Sequence, residues 1–304
     1  MWLARRLGWG ILVMWLAATL AFFALRVLPS DAITVQMLDS GASQAAVDAL
    51  RAELGLTDPL PAQYGRFLTG LLRGDLGVSL LSGQPVSELI ALNLGPTVTL
   101  TLSALAVAVV VGLGLGLLAG AAGPPLLASL ARLVVDLALS TPIYWTGTLA
   151  IYLFTVQLAL LPSGGSGRLS QLILPSAVLG FHTAGAIARV VAQEVRQQRQ
   201  ADFVRVARSK GLTERRILFV HVLRASAVPV VTVITLQAGF LLSGVVVTET
   251  LFVRQGLGRL LLDSTLRQDY PVVQGVVVLS AVVYTLLNTL TDLAYGLLDP
   301  RAAQ

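Results

Sequence analysis

Six apolar runs, each near the roughly 20 residues a helix needs to cross a bilayer's hydrocarbon, constrain this chain more than any other feature. They cover residues 7–28, 97–122, 133–161, 171–191, 227–248 and 272–298. In hydrocarbon every backbone polar group must be bonded within the protein, so runs of this length predict helices. The expected fold class is all-α: a polytopic membrane protein with six transmembrane helices. The third and sixth runs exceed the required length and imply tilt or continuation past the bilayer. A chain of 304 residues with 55% hydrophobic residues, 12% charged residues and a mean hydropathy of +0.80 is no ordinary water-soluble domain. The first run follows Arg5-Arg6 as a secretion signal would. It is longer than a signal core and no small-residue cleavage site clearly follows, so a retained span is expected.

Several chemistries are excluded by residue counts. There is no cysteine, which rules out disulfides and thiolate metal sites, and His182 and His221 are too few for a histidine cluster. Lys210 is the only lysine, and no G-x-x-x-x-G-K-[ST] phosphate loop can be written around Ser209-Lys210-Gly211. If ATP drives this protein, another subunit hydrolyses it. The net charge of +5 does not indicate nucleic acid, because the basic residues sit at span ends, where topology explains them.

Orientation follows from the arginines. An even number of spans puts both termini on one side, together with Arg5, Arg6, Arg132 and the loop between the fourth and fifth spans. That loop carries Arg196, Arg199, Arg205, Arg208, Lys210, Arg215, Arg216 and Arg224 against Glu194, Asp202 and Glu214. The long first loop on the opposite side is acidic, with Asp31, Asp39, Asp48, Glu53, Asp58, Asp75 and Glu88. The positive-inside rule therefore places both termini in the cytoplasm. The expected organisation is an N-terminal span (residues 1–28), an external helical loop (29–96) and a five-helix core (97–304). That core includes a cytoplasmic loop at 193–226.

The external loop is too long for a plain connector. Residues 43–54 read as an amphipathic helix with Ser43 as N-cap and Gly55 as terminator. Residues 64–72 read as a second short helix ended by Gly74-Asp75. Two readings stand: a helical cap on the outer face, or a docking or gating element for an external partner. In the cytoplasmic loop, Asp202 places an acid at the positive end of a helix dipole. Phe203, Val206, Ala207 and Lys210 share one side, and Gly211 supplies a left-handed C-cap. Thr213 then caps a second helix with Glu214 in its first turn. Ala207 and Gly211 leave little side-chain bulk, so another backbone can approach. This helix–turn–helix suits contact with a soluble protein. Equally, it suits an arginine-rich segment lying on anionic headgroups.

DFVRVARSKGL at 202–212, followed by His221 and Pro229, resembles the cytoplasmic loop of ABC-importer permeases of the dipeptide, oligopeptide and nickel subfamily, which also includes glutathione permeases. The likeness extends to LRAELGLTDPLPAQY (50–64), GDLGVSL (74–80), PVSELI (85–90), TETLF (248–252), QGLGRLL (255–261), RQDYPVVQG (267–275) and YGLLDPR (295–301). The resemblance implies that Asp202 to Gly211 forms a coupling helix seated in a cleft on a cytoplasmic ATPase subunit. Ala207 and Gly211 would then allow close approach, with Asp202, Phe203, Arg205, Arg208 and Lys210 at the contact. It further implies a second, similar permease subunit, two ATPase subunits carrying ATP and magnesium, and an external binding protein. The chain itself would bind no cofactor and sit in a bacterial or archaeal inner membrane. Three positions depart from the family pattern. Arg205 replaces the acidic residue of the wider superfamily, Pro29-Ser30-Asp31 replaces Pro-Gly-Asp, and Arg254-Gln255 replaces an aromatic residue and a proline. The last leaves the shape of that outer turn open.

Intramembrane polar residues are the usual place to seek a pathway. Asp136 and Arg189 lie near span ends, where snorkelling or surface pairing explains them. Glu249 either faces the pathway or caps the next short helix, and Asp292 faces the pathway or pairs with a neighbouring helix. His182 reads as a packed, hydrogen-bonded residue. Gly112, Gly114 and Gly116 read as helix-packing positions. The leading function is a peptide permease subunit of an ATP-driven importer, with nickel, a metal chelate or glutathione as alternative cargo. A self-contained secondary transporter lacks the expected inverted repeats. An intramembrane enzyme lacks a nucleophile–base pair or metal set.

Overall fold

The computed structural model describes residues 2–26, 43–53, 55–121 and 124–298; for residues 2–7, 242–244 and 290–298 it describes the backbone only. The Pro29-Ser30-Asp31 segment and the tail from Asp299 lie outside the described residues. The described fold is helical, with no strand; one isolated antiparallel bridge joins Val78 and Pro85. The first seven helices are α1 (Trp2–Arg26), α2 (Gln44–Glu53), α3 (Leu60–Leu72), α4 (Val86–Gly120), α5 (Pro125–Ser140), α6 (Ile143–Ala150) and α7 (Ser170–Arg199). They are followed by α8 (Asp202–Ser209), α9 (Glu214–Arg216), α10 (Leu223–Ala225), α11 (Ala227–Leu251), α12 (Leu257–Leu266) and α13 (Tyr270–Leu298). π-helical segments extend α6 through Ile151–Gln157 and link α9 to α10 through Ile217–Val222.

Among the described residues, four helical stretches are alone long and apolar enough to cross a membrane: Gly8–Arg26, Val86–Gly120, Ser170–Arg199 and Tyr270–Thr289. Two bent pairs bring the number to six if each counts as one span. One of these corrects the sequence reading. The third span, expected as one long helix over 133–161, is broken between α5 and α6 with a 107° bend. Pro142 has no N–H to donate and forces the residue before it out of the helical region. Thr141 accordingly sits at φ −88°, ψ 137°. The fifth span is likewise preceded by a helical stretch bent from it by 61°, and α7 runs on to Arg199, past the expected end at Val191. Helix α4 starts at Val86 rather than Thr97 and passes through Pro96. Its 35 residues give it a length of about 52 Å, against a hydrocarbon core of about 30 Å.

The chain forms two compact units, Met1–Gly95 with Gln255–Leu286 and Pro96–Arg254 with Leu287–Gln304. In the first, fully buried Phe22 of α1 packs against Tyr64 and Phe67 of α3, with ring centroids 5.2 and 5.4 Å away. Thr19 and Tyr64 share a 2.7 Å hydrogen bond, and Arg26 Nε donates to Gln63 Oε1. The second of the expected loop helices is therefore fastened to the first span. At the start of α2, Ser43 Oγ accepts from the Ala46 N–H, as a capping serine does. The turn around Val78–Pro85 is held by buried Asp269. Its Oδ2 accepts from Ser79 Oγ at 2.5 Å and its Oδ1 from the Leu80 N–H at 3.0 Å.

In the second unit α7 is largely enclosed, with buried residues from Leu174 to Val195. The glycines of α4 explain how close it comes. A Cβ placed on Gly112 would lie 2.8 Å from the Ile187 Cβ, on Gly116 2.5 Å from the Val191 Cβ, and on Gly120 2.8 Å from the Ala192 carbonyl oxygen. Spaced four apart, these three form one small-residue stripe that lets the two backbones approach. Gly114 points elsewhere and meets nothing within 4 Å. His182 ties the broken third span to α7. Its Nδ1–H donates to the Ala138 carbonyl at 2.9 Å, and its Nε2 accepts from Thr146 Oγ1 at 2.6 Å.

Candidate functional site: the Asp202–Ser209 helix and the buried acid of the fifth span

Helix α8 forms where the sequence predicts it. It begins at Asp202, ends at Ser209 and is closed by Lys210 and by Gly211 at φ +76°. That left-handed conformation favours glycine. Thr213 Oγ1 accepts from the Arg216 N–H and starts α9, with Glu214 in its first turn.

The face of α8 differs from the expected one. Val204 is fully buried and Ala207 is 7% exposed, whereas Phe203 is 39% and Val206 52% exposed. Val204 and Ala207 join one cluster with Val195 of α7, Ile217 and Val222 of the π segment, and Val230 and Val233 of α11. Ala207 therefore lets α8 approach the protein's own core rather than an outside backbone. Its burial follows from the apolar side chains of Val195, Ile217 and Val222 that flank the loop. A Cβ on Gly211 would meet nothing within 4 Å. The glycine is required by its dihedral angle, not by crowding within the chain. The exposed residues of this segment are Asp202, Phe203, Arg205, Val206, Arg208 and Ser209, followed by Lys210 and Gly211.

Glu214 organises the charges around this turn. Arg208 forks onto it, Nε to Oε1 at 2.6 Å and Nη2 to Oε2 at 3.3 Å, while Arg199 Nη2 donates to Oε2 at 2.8 Å. One carboxylate thus fastens the end of α7 to both sides of the Gly211 turn. The hydrogen bond to Glu214, and then its charge, raise the pKa of the Arg208 guanidinium above its usual value. Arg205 pairs only loosely with Asp202, at 3.5 Å, and 77% of its side chain is exposed. The sequence reading counted Glu214 as a helix-start acid and missed this clamp. Its signal was an acid placed six residues after one arginine and fifteen after another, across a glycine turn.

The two expected pathway residues stand apart from this loop. Glu249 is completely buried near the end of α11, where Oε1 accepts from Thr97 Oγ1 of α4 at 2.6 Å. Arg254, only 3% exposed, donates through Nη1 to the carbonyls of Gly165 at 2.9 Å and Gln171 at 3.2 Å. Burial lowers the pKa of Arg254, and the charge of Glu249 opposes that fall. Glu249 is therefore an internal strut between α11 and α4. A buried carboxylate needs such partners. The Arg254 turn, left open by the sequence, is an anchor for the loop before α7. Asp292 lies in α13, and its side chain is outside the described residues. Asp136 and Arg189 form an exposed pair at 3.5 Å. No group of three metal-ligating side chains occurs among the described residues.

This arrangement matches known proteins. Residues 112–304 fit the family described as "Binding-protein-dependent transport system inner membrane component", and residues 1–101 fit the N-terminal region of the same membrane components. A probable peptide ABC transporter permease of Sinorhizobium fredii is 34% identical, with 99% of this chain and 98% of that protein covered. The dipeptide transport system permease protein DppB of Escherichia coli is 35% identical over 98% and 97%. A glutathione transport system permease of Pectobacterium atrosepticum is 36% identical over 92% of each. Among solved structures, the MetNI methionine ABC transporter in inward-facing form aligns with a TM-score of 0.60 at 19% identity, covering 69% of this chain and 96% of that one. The α4–α7 packing and the α8 turn thus lie in a chain that belongs, along nearly its whole length, to the inner-membrane permease components of binding-protein-dependent ABC importers.

Proposed function

We propose that this chain forms half of the translocation pathway for short peptides and is moved by ATP hydrolysis in separate subunits. The observation that carries this reading is the two-sidedness of α8. One face is fused into the core through Val204 and Ala207, and the other presents Phe203, Arg205 and Val206 to solvent. A push on the outward face is therefore transmitted to α7 and α11, because a packed core moves as a unit rather than deforming. The chain has a single lysine and no phosphate loop, and the family resemblance assigns ATP and magnesium to two partner ATPase subunits. A second, homologous permease completes the path, and an external binding protein delivers cargo. The arginine-rich loop puts both termini in the cytoplasm.

Peptide cargo rests on the relatives, which are described as peptide and dipeptide permeases. The glutathione permease favours a second reading, glutathione itself, which is also a tripeptide. Reconstitution separates this account from a self-driven carrier. With the partner permease, ATPases and binding protein in vesicles, radiolabelled Ala-Ala should accumulate only when ATP is supplied. Accumulation against a gradient by this chain alone would refute it.

A further inference from the structure

A cavity of about 250 Å³, four of whose six lining residues are polar or charged, opens beside α12 in the first unit, and neither the coupling loop nor the Glu249 strut uses it. Asn93, Gln255, Gly256, Arg259, Leu260 and Asp263 line it. Its composition is unusual for this apolar chain: one cation, one anion, two amide side chains and a single apolar residue. Leu260 packs with the cluster of Val86, Ile90, Val272 and Val276, which gives the cavity a fixed floor. Gly256 is the extended residue that opens α12, so the positive end of that helix dipole lies at the cavity too.

Arg259 and Asp263 stand four residues apart on α12, with Arg259 Nε 3.5 Å from Asp263 Oδ2. Half-exposed pairs of this kind are weak, worth about 0–1 kcal/mol, so a ligand carrying both charges can replace the contact. Four residues of helix rise about 6 Å. The ammonium and carboxylate of an extended dipeptide are separated by up to about 7 Å. Arg259 is the less exposed of the two, at 35% against 54%. It offers a planar fork suited to a carboxylate, while the outer Asp263 suits an ammonium. Asn93 and Gln255 carry both donors and acceptors, as a peptide bond requires.

We propose that this cavity is a subsite for the main-chain charges of a short peptide, its carboxylate at Arg259 and its ammonium at Asp263. The inference rests on the peptide reading above and deepens it. The cavity is smaller than the roughly 300–1,000 Å³ of drug-sized ligand sites. It therefore holds the charged main chain and leaves side chains outside, which makes the subsite tolerant of sequence.

The test uses the assembled permease–ATPase complex in nanodiscs, without binding protein, and saturation-transfer NMR with millimolar Ala-Ala, Ala-Ala amide and N-acetyl-Ala-Ala. Ala-Ala should bind the wild-type complex about tenfold better than its amide, which is one charged hydrogen-bonded contact. Arg259→Gln should remove that preference by weakening Ala-Ala alone, and Arg259→Lys should restore part of it. Asp263→Asn should erase the preference for Ala-Ala over the N-acetyl form in the same way. Equal binding of Ala-Ala and its amide by wild type would overturn the proposal, as would an Arg259→Gln effect that is absent or equal for both probes. A complex that takes up Ala-Ala with ATP when reconstituted in vesicles with its binding protein, yet shows no such preference in nanodiscs, defeats the subsite alone. One that never takes up Ala-Ala defeats the peptide reading itself.

Discussion

Valine in place of Gly211 is expected to reduce ATP-dependent uptake roughly tenfold or more, while the chain remains inserted and bound to its partner permease. The reasoning separates two effects. At φ +76° a side chain with a Cβ is strained by about 1–2 kcal/mol, and a β-branched one more than alanine. Nothing lies within 4 Å of the added Cβ, so there is no clash inside the chain to add to this. The local penalty is too small to unfold a bundle held by the Val195–Ile217–Val222 core. It is large enough to open the turn that returns Glu214 to Arg208 and Arg199, and 1.4 kcal/mol is already a factor of ten in an equilibrium. Asparagine tolerates the left-handed region, so Gly211→Asn should retain much of the uptake. Normal uptake by the valine variant, measured beside the amount of inserted chain, would show that this turn carries no load.

Reversing the charges of Arg205 and Arg208 together should lower the amount of ATPase that co-purifies in detergent by about tenfold. The two substitutions act differently. Arg205 is mostly exposed and holds only a 3.5 Å contact with Asp202. Arg205→Glu therefore alters the outward surface and little else. Arg208→Glu sets a second carboxylate against Glu214, which then keeps Arg199 as its only clamp partner. Exposed ion pairs contribute about 0–1 kcal/mol each, so neither change should reduce folding much. The loss should appear in partner attachment and should resemble the effect of raised salt, which screens the same surface. Glu214→Gln releases both arginines without adding repulsion, and a smaller loss of about two- to threefold is expected. Unchanged co-purification in the double reversal would remove these arginines from the contact.

What could be read in the sequence was local. Asp202 and Gly211 bound a two-turn helix through dipole and dihedral preferences that act within a few residues. The apolar runs were visible because hydrocarbon leaves a chain few alternatives to helix. The direction of Ala207 was not local. On so short a helix it is decided by Val195, Ile217 and Val222, which come from neighbouring elements. The fate of Glu249 likewise depends on Thr97, and Ser79 finds Asp269 190 residues away. The break at Pro142 was signalled by the proline itself. The surrounding apolar run hid it, because hydropathy does not register a missing N–H.

The outward face of α8 carries the whole account, and the absence of native cysteine makes it directly accessible to single-cysteine cross-linking. Phe203→Cys and Val206→Cys should each form a cross-link to an ATPase subunit in the assembled transporter, and Val204→Cys, fully buried in the core, should not. Cross-links that avoid the ATPase at both exposed positions, or labelling of Val206→Cys by a membrane-impermeant thiol reagent added outside intact cells, would contradict the claim that this helix receives the driving force.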